Sequence, residues 1–373
     1  MPTSRAPIAV LFGTRPEAIK LAPVVLALRD AALPHVVVTT GQHTTMVSEV
    51  LDLFGIAADE DLGLMQPGQS LDRLLARALE RVGSLLDQRR PAAVVVQGDT
   101  TSMLGSALAA FHHRIPVGHV EAGLRSNDLA HPFPEEMNRR VASRIARWHF
   151  APTESAAANL RLEGIADDIH VVGNTVVDAL RAIDLESAVL PPPFASFIGT
   201  APYLLATAHR RESWDGGIGA VATALRDVLA ARPELRLVFA THPNPIARGP
   251  VDAILGPEPR AMVVDALPYP VFLALLARAR LAVSDSGGVQ EEGPTLGVPV
   301  LVTRLTTERP EGVEAGAVQL VGTDADRVRT TTLGLLQDGD RLTAMSRAGG
   351  NLYGDGTAAR RIASVLAGEA NGT

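Results

Sequence analysis

The chain has no cysteine and a single lysine, and both shortages narrow what it can be. Without cysteine there are no disulfides and no thiolate metal sites, which excludes a disulfide-stapled secreted domain and a thiolate zinc site. The chain has 34 basic residues, and Lys20 is the only one that is not arginine. Lys20 therefore either marks a place that needs a compact ammonium group or stands there by chance.

Long apolar runs and an excess of positive charge are also missing. No run reaches the roughly 18 apolar residues of a membrane span, and the N-terminus lacks a basic region followed by an apolar signal segment. The formal net charge is −7, so nothing favours a nucleic-acid or membrane-surface partner. We expect a soluble, cytoplasmic protein that binds a small molecule.

The chain is long enough for two domains. At 373 residues it exceeds one ordinary hydrophobic core and fits two domains of roughly 150 to 200 residues. Apolar runs at His35–Gly41 and Ala92–Gly98 flank helical periodicity from Leu71 to Leu86, which is typical of βαβ units. A second α/β half begins near Tyr203, after the proline run at 191–193. The fold class predicted is α/β, with parallel sheets.

The stretch from Leu281 to Val302 is the clearest candidate ligand site. An apolar strand ends at the pair Gly287-Gly288, and a helix is predicted to begin near Val289. Glycines let the backbone approach a ligand, and the first helix amides favour a phosphate. Glu292 lies one turn on, where it can accept ribose hydroxyls. The alternative is structural, with Ser286 as an N-cap and Glu292 as a helix-dipole partner.

A second strand feeds a helix N-terminus at the beginning of the chain. The run Ile8–Phe12 is followed by Gly13 and then by Thr14-Arg15-Pro16-Glu17, a predicted capping box. Arg15 and Lys20 can both reach a diphosphate held there, although Arg15 taken alone is equally a surface charge. No G-x-G-x-x-G follows this strand, which argues against a nicotinamide-dependent epimerase or dehydrogenase.

Carboxylates recur at the ends of strands in the first half. Asp99 and Glu121 each follow an apolar run, and Glu135 opens an amphipathic helix. Open parallel sheets bind ligands outside the carboxyl ends of their strands, so these acids are candidates for chemistry. The alternatives are that Asp99 is an N-cap and that Glu135 is a dipole partner. In the second half, His209 follows a strand and precedes two arginines, which favours a phosphate contact.

Nine motifs in order resemble the non-hydrolysing UDP-N-acetylglucosamine 2-epimerases, over nearly the whole chain. They are GTRPEAIK (13–20), GDTTS (98–102), PVGHVEAGLR (116–125), PEEMNR (134–139), GNTVVDAL (173–180), HRRES (209–213), SDSGGVQEE (284–292), TTERPE (306–311) and YGDG (353–356). The resemblance implies a GT-B architecture, in which two Rossmann-like domains with parallel sheets flank a central cleft. The domains expected are 1–175, joined by a C-terminal helix in 352–373, and 176–351.

The resemblance also implies roles for particular residues. It assigns catalysis to Asp99, Glu121, Glu135 and His209. It assigns substrate binding to Arg15, Lys20, Leu267, Phe272, Ser286, Gly287, Gly288, Glu292 and Arg309. Within this set, Leu267 (through its backbone) and Phe272 are expected near the uracil, Glu292 near the ribose and Arg309 near the sugar.

The activity implied is interconversion of UDP-N-acetylglucosamine and UDP-N-acetylmannosamine, through elimination of UDP to 2-acetamidoglucal and re-addition. Neither a cofactor nor a metal is expected, and the partners are the nucleotide sugars, UDP and a second copy in a homodimer. Three alternatives stay open at this point. Two are enzymes, a GT-B glycosyltransferase and a hydrolysing epimerase that releases N-acetylmannosamine. The third is a non-catalytic nucleotide-sugar sensor.

Overall fold

The computed structural model describes residues 6–41, 44–66, 68–208, 216–242 and 244–370. The chain divides into two compact units. Unit 1 consists of 1–182 with 353–373, and unit 2 consists of 183–352. Among the described residues, no helix combines the length and the apolar character that crossing a bilayer requires.

Unit 1 is built on a parallel sheet of seven strands. The strands are β1 (Ile8–Phe12), β2 (His35–Thr39), β3 (Glu60–Asp61), β4 (Ala93–Gln97), β5 (Val117–Val120), β6 (Trp148–Ala151) and β7 (Ile169–Val171). The helices are α1 (Arg15–Asp30), α2 (Thr44–Leu53), α3 (Leu71–Arg89), α4 (Thr101–His112), α5 (Glu135–Ile145), α6 (Glu154–Leu162), α7 (Thr175–Arg181) and, at the C-terminus, α16 (Ala358–Ala370).

Unit 2 is built on a parallel sheet of six strands. The strands are β8 (Tyr203–Ala208), β9 (Arg236–Thr241), β10 (Ala261–Val264), β11 (Leu281–Ser284), β12 (Val300–Val302) and β13 (Val318–Leu320). The helices are α8 (Pro192–Ile198), α9 (Gly217–Ala231), α10 (Pro245–Leu255), α11 (Tyr269–Leu276), α12 (Gly287–Thr295), α13 (Pro310–Glu314), α14 (Ala325–Gln337) and α15 (Gly339–Ala348).

Both sheets have the strand order of a doubly wound fold. In unit 1 the order is β3-β2-β1-β4-β5-β6-β7, and in unit 2 it is β10-β9-β8-β11-β12-β13. Each order reverses direction once, between β1 and β4 in unit 1 and between β8 and β11 in unit 2. Ligands of such sheets bind outside the carboxyl ends of the strands at that switch point. The prediction of an α/β fold with two Rossmann-like sheets is confirmed.

Helices cover both faces of each sheet, which is why the strands read as continuous apolar runs. In unit 1, Leu11, Val38 and Val96 pack on one face against α3 and α4. In unit 2, alternate residues of β8 separate the two faces. Leu204 lies in the core with α9 and α10, whereas Leu205 lies in the core with α8 and α11.

Three local predictions differ from the structure. Helix α12 begins at Gly287, two residues before the predicted start, because the glycine pair forms its first turn. The proline run at 191–193 starts α8, a helix that the sequence did not indicate. The two-residue strand β3 was not predicted, since Glu60-Asp61 is too short and too polar to show a strand pattern.

Candidate active site

The turn after β1 is held by hydrogen bonds to the buried Glu17 carboxylate. Thr14 caps α1, and the Glu17 carboxylate accepts hydrogen bonds from the Gly13 amide at 2.7 Å and the Thr14 amide at 2.9 Å. The predicted capping box is therefore confirmed. Burial raises the pKa of Glu17, while the hydroxyl of Thr100 and the two amides act in the opposite direction. The turn presents Arg15, partly exposed, at the first position of α1.

The turn after β4 is tied to the turn after β1. Thr100 is the N-cap of α4 and accepts from the Met103 amide at 3.0 Å. Its hydroxyl also donates to Glu17 at 2.5 Å. The alternative that Asp99 is the N-cap of this helix is therefore wrong. Asp99 instead lies just outside the helix, with a side chain 30% exposed.

Helix α5 holds Asp99 through two consecutive residues. The Asn138 amide nitrogen donates to the Asp99 backbone carbonyl at 2.7 Å, and the Arg139 guanidinium donates to the Asp99 carboxylate at 2.6 Å. Arg139 is buried and also pairs with the Glu136 carboxylate at 2.8 Å. One guanidinium therefore bridges two carboxylates, which fixes the Asp99 side chain relative to α5.

The two glutamates that open α5 have different environments. Glu136 is fully buried and accepts from the Ser126 amide at 3.0 Å and from Arg139 and Arg140. Burial raises the pKa of Glu136, but this amide and these guanidinium groups outweigh burial, and the pKa is lowered. Glu135 is only partly buried. Glu136 therefore supports the helix, whereas Glu135 lies at the helix start with a side chain that is less buried.

Glu121 follows β5 and pairs with the only lysine of the chain. The Lys20 ammonium forms an ion pair with the Glu121 carboxylate, which also accepts from the Gln97 amide at 3.0 Å. Both partners are buried. Glu121 has a backbone φ of 66°, in the left-handed region that costs a non-glycine residue free energy. Such strain at a strand end is typical of a functional position.

Two histidines lie side by side in the sheet beneath these acids. His119 in β5 is in register with His149 in β6, and both are buried. A His119 ring nitrogen lies 2.7 Å from the Gly98 carbonyl oxygen, next to Asp99. Burial lowers the pKa of both histidines to about 4. Both are therefore neutral at physiological pH, and His119 supports the turn that carries Asp99.

In unit 2, the glycine turn after β11 is supported by a buried arginine. Arg309 pairs with Glu291 and with Glu308, each at 2.5 Å. A Cβ placed on Gly287 would lie 2.8 Å from the Arg309 guanidinium. Arg309, expected near the sugar from the resemblance, therefore packs directly against the turn, and a side chain at position 287 would have to displace its guanidinium.

The first turn of α12 brings Ser286 and Glu292 around Gly288. Ser286 occupies the N-cap position, and within the described residues its side chain does not cap the helix. A Cβ placed on Gly288 would lie 3.7 Å from the Ser286 hydroxyl and 3.8 Å from each Glu292 carboxylate oxygen. Glu292 therefore lies on the same helix face as Gly288, as predicted. Tyr269 donates to Glu292 at 2.9 Å.

The remaining predicted contacts belong to the start of α11 and to one segment that is not described. Leu267 and Phe272 are partly buried and pack on the core of unit 2. The Phe272 amide donates to the Pro268 carbonyl at 3.0 Å. His209, predicted to contribute to catalysis, lies outside the described residues.

Each unit thus presents polar groups where its strand order reverses. In unit 1, Arg15 follows β1 and Asp99 follows β4. In unit 2, the glycine turn follows β11, which pairs with β8. This arrangement defines an α/β protein of the class that binds nucleotides at the switch points of parallel sheets.

Comparison with known proteins narrows that class. The family model described as UDP-N-acetylglucosamine 2-epimerase matches residues 27–367. The chain is 45% identical to UDP-N-acetylglucosamine 2-epimerase of Escherichia coli (strain K12) over 368 residues, which covers 96% of this chain and 98% of that protein. The chain therefore belongs to the UDP-N-acetylglucosamine 2-epimerase family, and the resemblance identified from its motifs is confirmed.

Solved structures agree with this assignment. The chain is similar to the crystal structure of UDP-GlcNAc 2-epimerase from Neisseria meningitidis bound to UDP-GlcNAc, with a TM-score of 0.92, 39% identity and coverage of 97% of this chain and 99% of that one. The Methanocaldococcus jannaschii enzyme, in complex with UDP-GlcNAc and UDP, has a TM-score of 0.84 at 32% identity and covers 96% of this chain and 99% of its own.

Several side chains that contact the predicted site residues were not singled out from the sequence. Among them are Gln97, Asn138, Arg139 and Tyr269. Asn138 and Arg139 lie within the PEEMNR motif, where their spacing from Glu135 places them one turn into α5 and was a usable signal. Gln97 and Tyr269 follow no motif, and only the tertiary fold brings them to Glu121 and Glu292.

Proposed function

We propose that this protein interconverts UDP-N-acetylglucosamine and UDP-N-acetylmannosamine without releasing a free sugar. The observation that carries the proposal is the acidic edge of unit 1. There, Asp99 and Glu121 follow neighbouring strands, and the helix that begins with Glu135 contacts Asp99. Membership of the epimerase family supports the same activity.

The chemistry explains why several carboxylates are needed. The C2 proton of the sugar is not acidic, because no carbonyl lies next to C2. If the C1–O bond breaks first and its electron pair leaves with UDP, the sugar becomes cation-like and a carboxylate can take the C2 proton. The electrons of the C2–H bond then form the C1=C2 double bond of 2-acetamidoglucal. A proton added to the opposite face of C2, with return of UDP to C1, completes the inversion.

Protons must be handled on both faces of C2, so one acid/base group is not enough. Asp99, Glu121 and Glu135 are the proposed set. The Glu121 carboxylate pairs with the Lys20 ammonium, and the Asp99 carboxylate accepts from the Arg139 guanidinium, so both acids are held in place at the strand ends. Glu135, partly exposed at a helix start, is the third group. We assign His209 to the departing UDP.

Unit 2 is the proposed UDP-binding domain. The glycine turn and the first amides of α12 suit the diphosphate, with Ser286, Gly287 and Gly288 as contacts. Glu292 suits the ribose, and Leu267 with Phe272 suits the uracil. Arg309, which packs against the turn, suits the sugar region. From unit 1, Arg15 and Lys20 are proposed to contribute cations. We further propose a cytoplasmic homodimer that needs neither metal nor cofactor.

Deuterium incorporation tests the reaction directly. UDP-N-acetylglucosamine is incubated with the enzyme in D₂O, without metal or nicotinamide, and early product is analysed by NMR and mass spectrometry. We expect UDP-N-acetylmannosamine with deuterium at C2, because the second carboxylate delivers a solvent-derived proton. Product that is fully protonated at C2 would contradict the two-base mechanism. Release of free N-acetylmannosamine would indicate a hydrolysing enzyme, and an unchanged C2 centre would favour a glycosyltransferase.

A further inference from the structure

Tyr269 and Glu292 form a buried pair that the predicted roles do not explain. The Tyr269 hydroxyl donates to the Glu292 carboxylate at 2.9 Å, and the relative exposures of the two residues are 4% and 6%. Tyr269 opens α11 and Glu292 lies in α12, so the bond joins the two helices that flank β11 in the chain. A bond to an ionised acceptor is stronger than one between neutral groups.

The partner of Tyr269 is what distinguishes it from the other buried tyrosine of unit 2. Tyr203 is equally buried, and its hydroxyl donates to the Leu275 backbone carbonyl at 2.5 Å. Any carbonyl of the nearby helix would satisfy a buried phenol. Tyr269 instead bonds to the one carboxylate that lies on the Gly288 face of α12. Its hydroxyl therefore acts on a residue of the proposed ligand site.

Glutamate is a poor recognition group unless something holds it. Its side chain has three rotatable torsions, and ordering them costs up to about 2 kcal/mol. A hydrogen bond that fixes the carboxylate in the free protein removes that cost from ligand binding. An ionised carboxylate has about four acceptor positions, so it can bind one phenol and still accept from a sugar hydroxyl.

We propose that Tyr269 is a positioning residue, which orients Glu292 to accept a ribose hydroxyl and so sets the preference of this protein for ribonucleotides over deoxyribonucleotides. The inference rests on the proposed UDP site and adds a determinant of sugar selectivity to it. Phe272 lies one turn further along α11, so a single helix carries both the ribose-positioning phenol and the proposed uracil contact.

The test is calorimetric titration with UDP, 2′-deoxy-UDP and 3′-deoxy-UDP. In the wild-type protein we expect at least one deoxy analogue to bind about tenfold or more weakly than UDP, which reflects a charge-assisted hydrogen bond. In Tyr269→Phe, UDP should bind about three- to tenfold more weakly, while that analogue should change by less than about twofold. KM for UDP-N-acetylglucosamine should rise by the same factor, with kcat nearly unchanged.

Tyr203→Phe is the matched control. It removes a hydroxyl of equal burial that has no bond to Glu292, so it should lower thermal stability while preserving the wild-type preference for UDP. Glu292→Gln should abolish the preference. The inference is overturned if Tyr269→Phe keeps the wild-type preference, or if it weakens all three ligands equally, as a general loosening of unit 2 would.

The proposed function can fail separately. A wild-type protein that epimerises the nucleotide sugar but binds UDP and both analogues equally would remove the ribose role of Glu292, and with it the role of Tyr269, while leaving the activity intact. The opposite outcome is a wild-type protein that has no epimerase activity but still prefers UDP, with the preference lost in Tyr269→Phe. That result would contradict the proposed function and support the positioning role of Tyr269.

Discussion

The two units share a strand order, but the turns at the carboxyl ends of their strands carry different groups. In unit 1, the turns after the strands carry charged side chains that are held by partners from other elements, as Asp99 is by Arg139 and Glu121 is by Lys20. In unit 2, the turn after β11 offers backbone, because Gly287 and Gly288 lack side chains and Arg309 packs beneath them. Side chains that titrate suit proton transfer, whereas amides that cannot titrate suit a constant grip on an anion.

The sheets of the two units also differ in the histidines that their strands contain. In unit 1, β5 and β6 bury His119 and His149 in the sheet. None of the six strands described in unit 2 contains a histidine. The described strands therefore bury ring nitrogens in unit 1, whereas the polar side chains in the strands of unit 2 include the hydroxyls of Thr207 and Ser284.

The largest expected effect is on turnover, and it tests whether the acids of unit 1 act in catalysis. Asp99→Asn, Glu121→Gln and Glu135→Gln should each lower kcat by about 10²- to 10⁴-fold, the usual contribution of a general acid or base. UDP affinity should change much less, since these acids belong to unit 1. Steady-state kinetics and UDP titration measure both quantities. Glu154→Gln, which removes an exposed ion pair with Arg161, is the control and should turn over normally. A near-normal rate in any of the three would remove that residue from the mechanism.

Acid should destabilise unit 1 through its histidines. Their folded pKa of about 4 lies below the ordinary value of 6.5. Above pH 6.5 the histidines are neutral in both states, and their full contribution to stability is present. Between pH 6.5 and about 4 the unfolded chain binds protons that the folded protein does not, so stability falls, by on the order of 3 kcal/mol for each histidine.

Urea unfolding at pH 7.5 and 4.5 measures this loss. In a Trp214→Phe background the remaining tryptophan is Trp148, buried in β6, so its fluorescence reports on unit 1. Replacing His119 by Gln removes one titrating group and should reduce the difference in stability between the two pH values. An unchanged difference would show that His119 does not contribute to the acid sensitivity.

The third prediction concerns the affinity for UDP and not the turnover rate. Arg15→Ala removes a proposed phosphate cation and Glu292→Ala removes the proposed ribose acceptor. A charge-assisted hydrogen bond contributes about 1.5 to 3 kcal/mol, so each variant should bind UDP about ten- to a hundredfold more weakly. Calorimetry that finds wild-type affinity in both variants would contradict the UDP site as proposed.

The smallest expected effect is that of Gly288→Ala, in which thermal stability should rise while UDP affinity falls. Nothing outside its own turn lies closer than 3.7 Å to a Cβ at position 288, so Gly288→Ala should fold normally and gain about 0.5 to 1 kcal/mol from better helix propensity. The added methyl group should nevertheless keep a diphosphate from the backbone and weaken UDP binding about tenfold. Thermal melting and calorimetry read the two changes, and unaltered UDP affinity would place the diphosphate elsewhere.

Much of the fold was predictable because its signals are local. Buried parallel strands read as apolar runs, and the Thr14–Glu17 capping box is written in four consecutive residues. The strand-end positions of Asp99 and Glu121 were predictable for the same reason. Predicted roles such as those of Ser286 and Leu267 stay predictions.

What could not be predicted depends on residues distant in sequence. Glu135 and Glu136 look alike in the sequence, and only the packing of α5 buries one of them beside Arg139. Asp99 and Thr100 are both good N-cap residues. In the structure Thr100 caps α4, and its hydroxyl also donates to Glu17, which is distant in sequence. Lys20 was expected to reach a phosphate, and its pairing with Glu121 joins positions 101 residues apart.

The return of the C-terminal segment to unit 1 has a consequence for biosynthesis. Helix α16 packs against α1 and α7, and it buries Ile362 and Leu366. A ribosome makes α1 early and α16 last, and unit 2 is synthesised in between, which takes roughly ten seconds or more at about 5–20 residues per second. Unit 2 can complete its fold while the older unit still exposes the apolar surface that α16 will cover. The domain that is begun first is therefore finished last, and a premature stop near residue 350 would leave unit 2 whole and unit 1 incomplete.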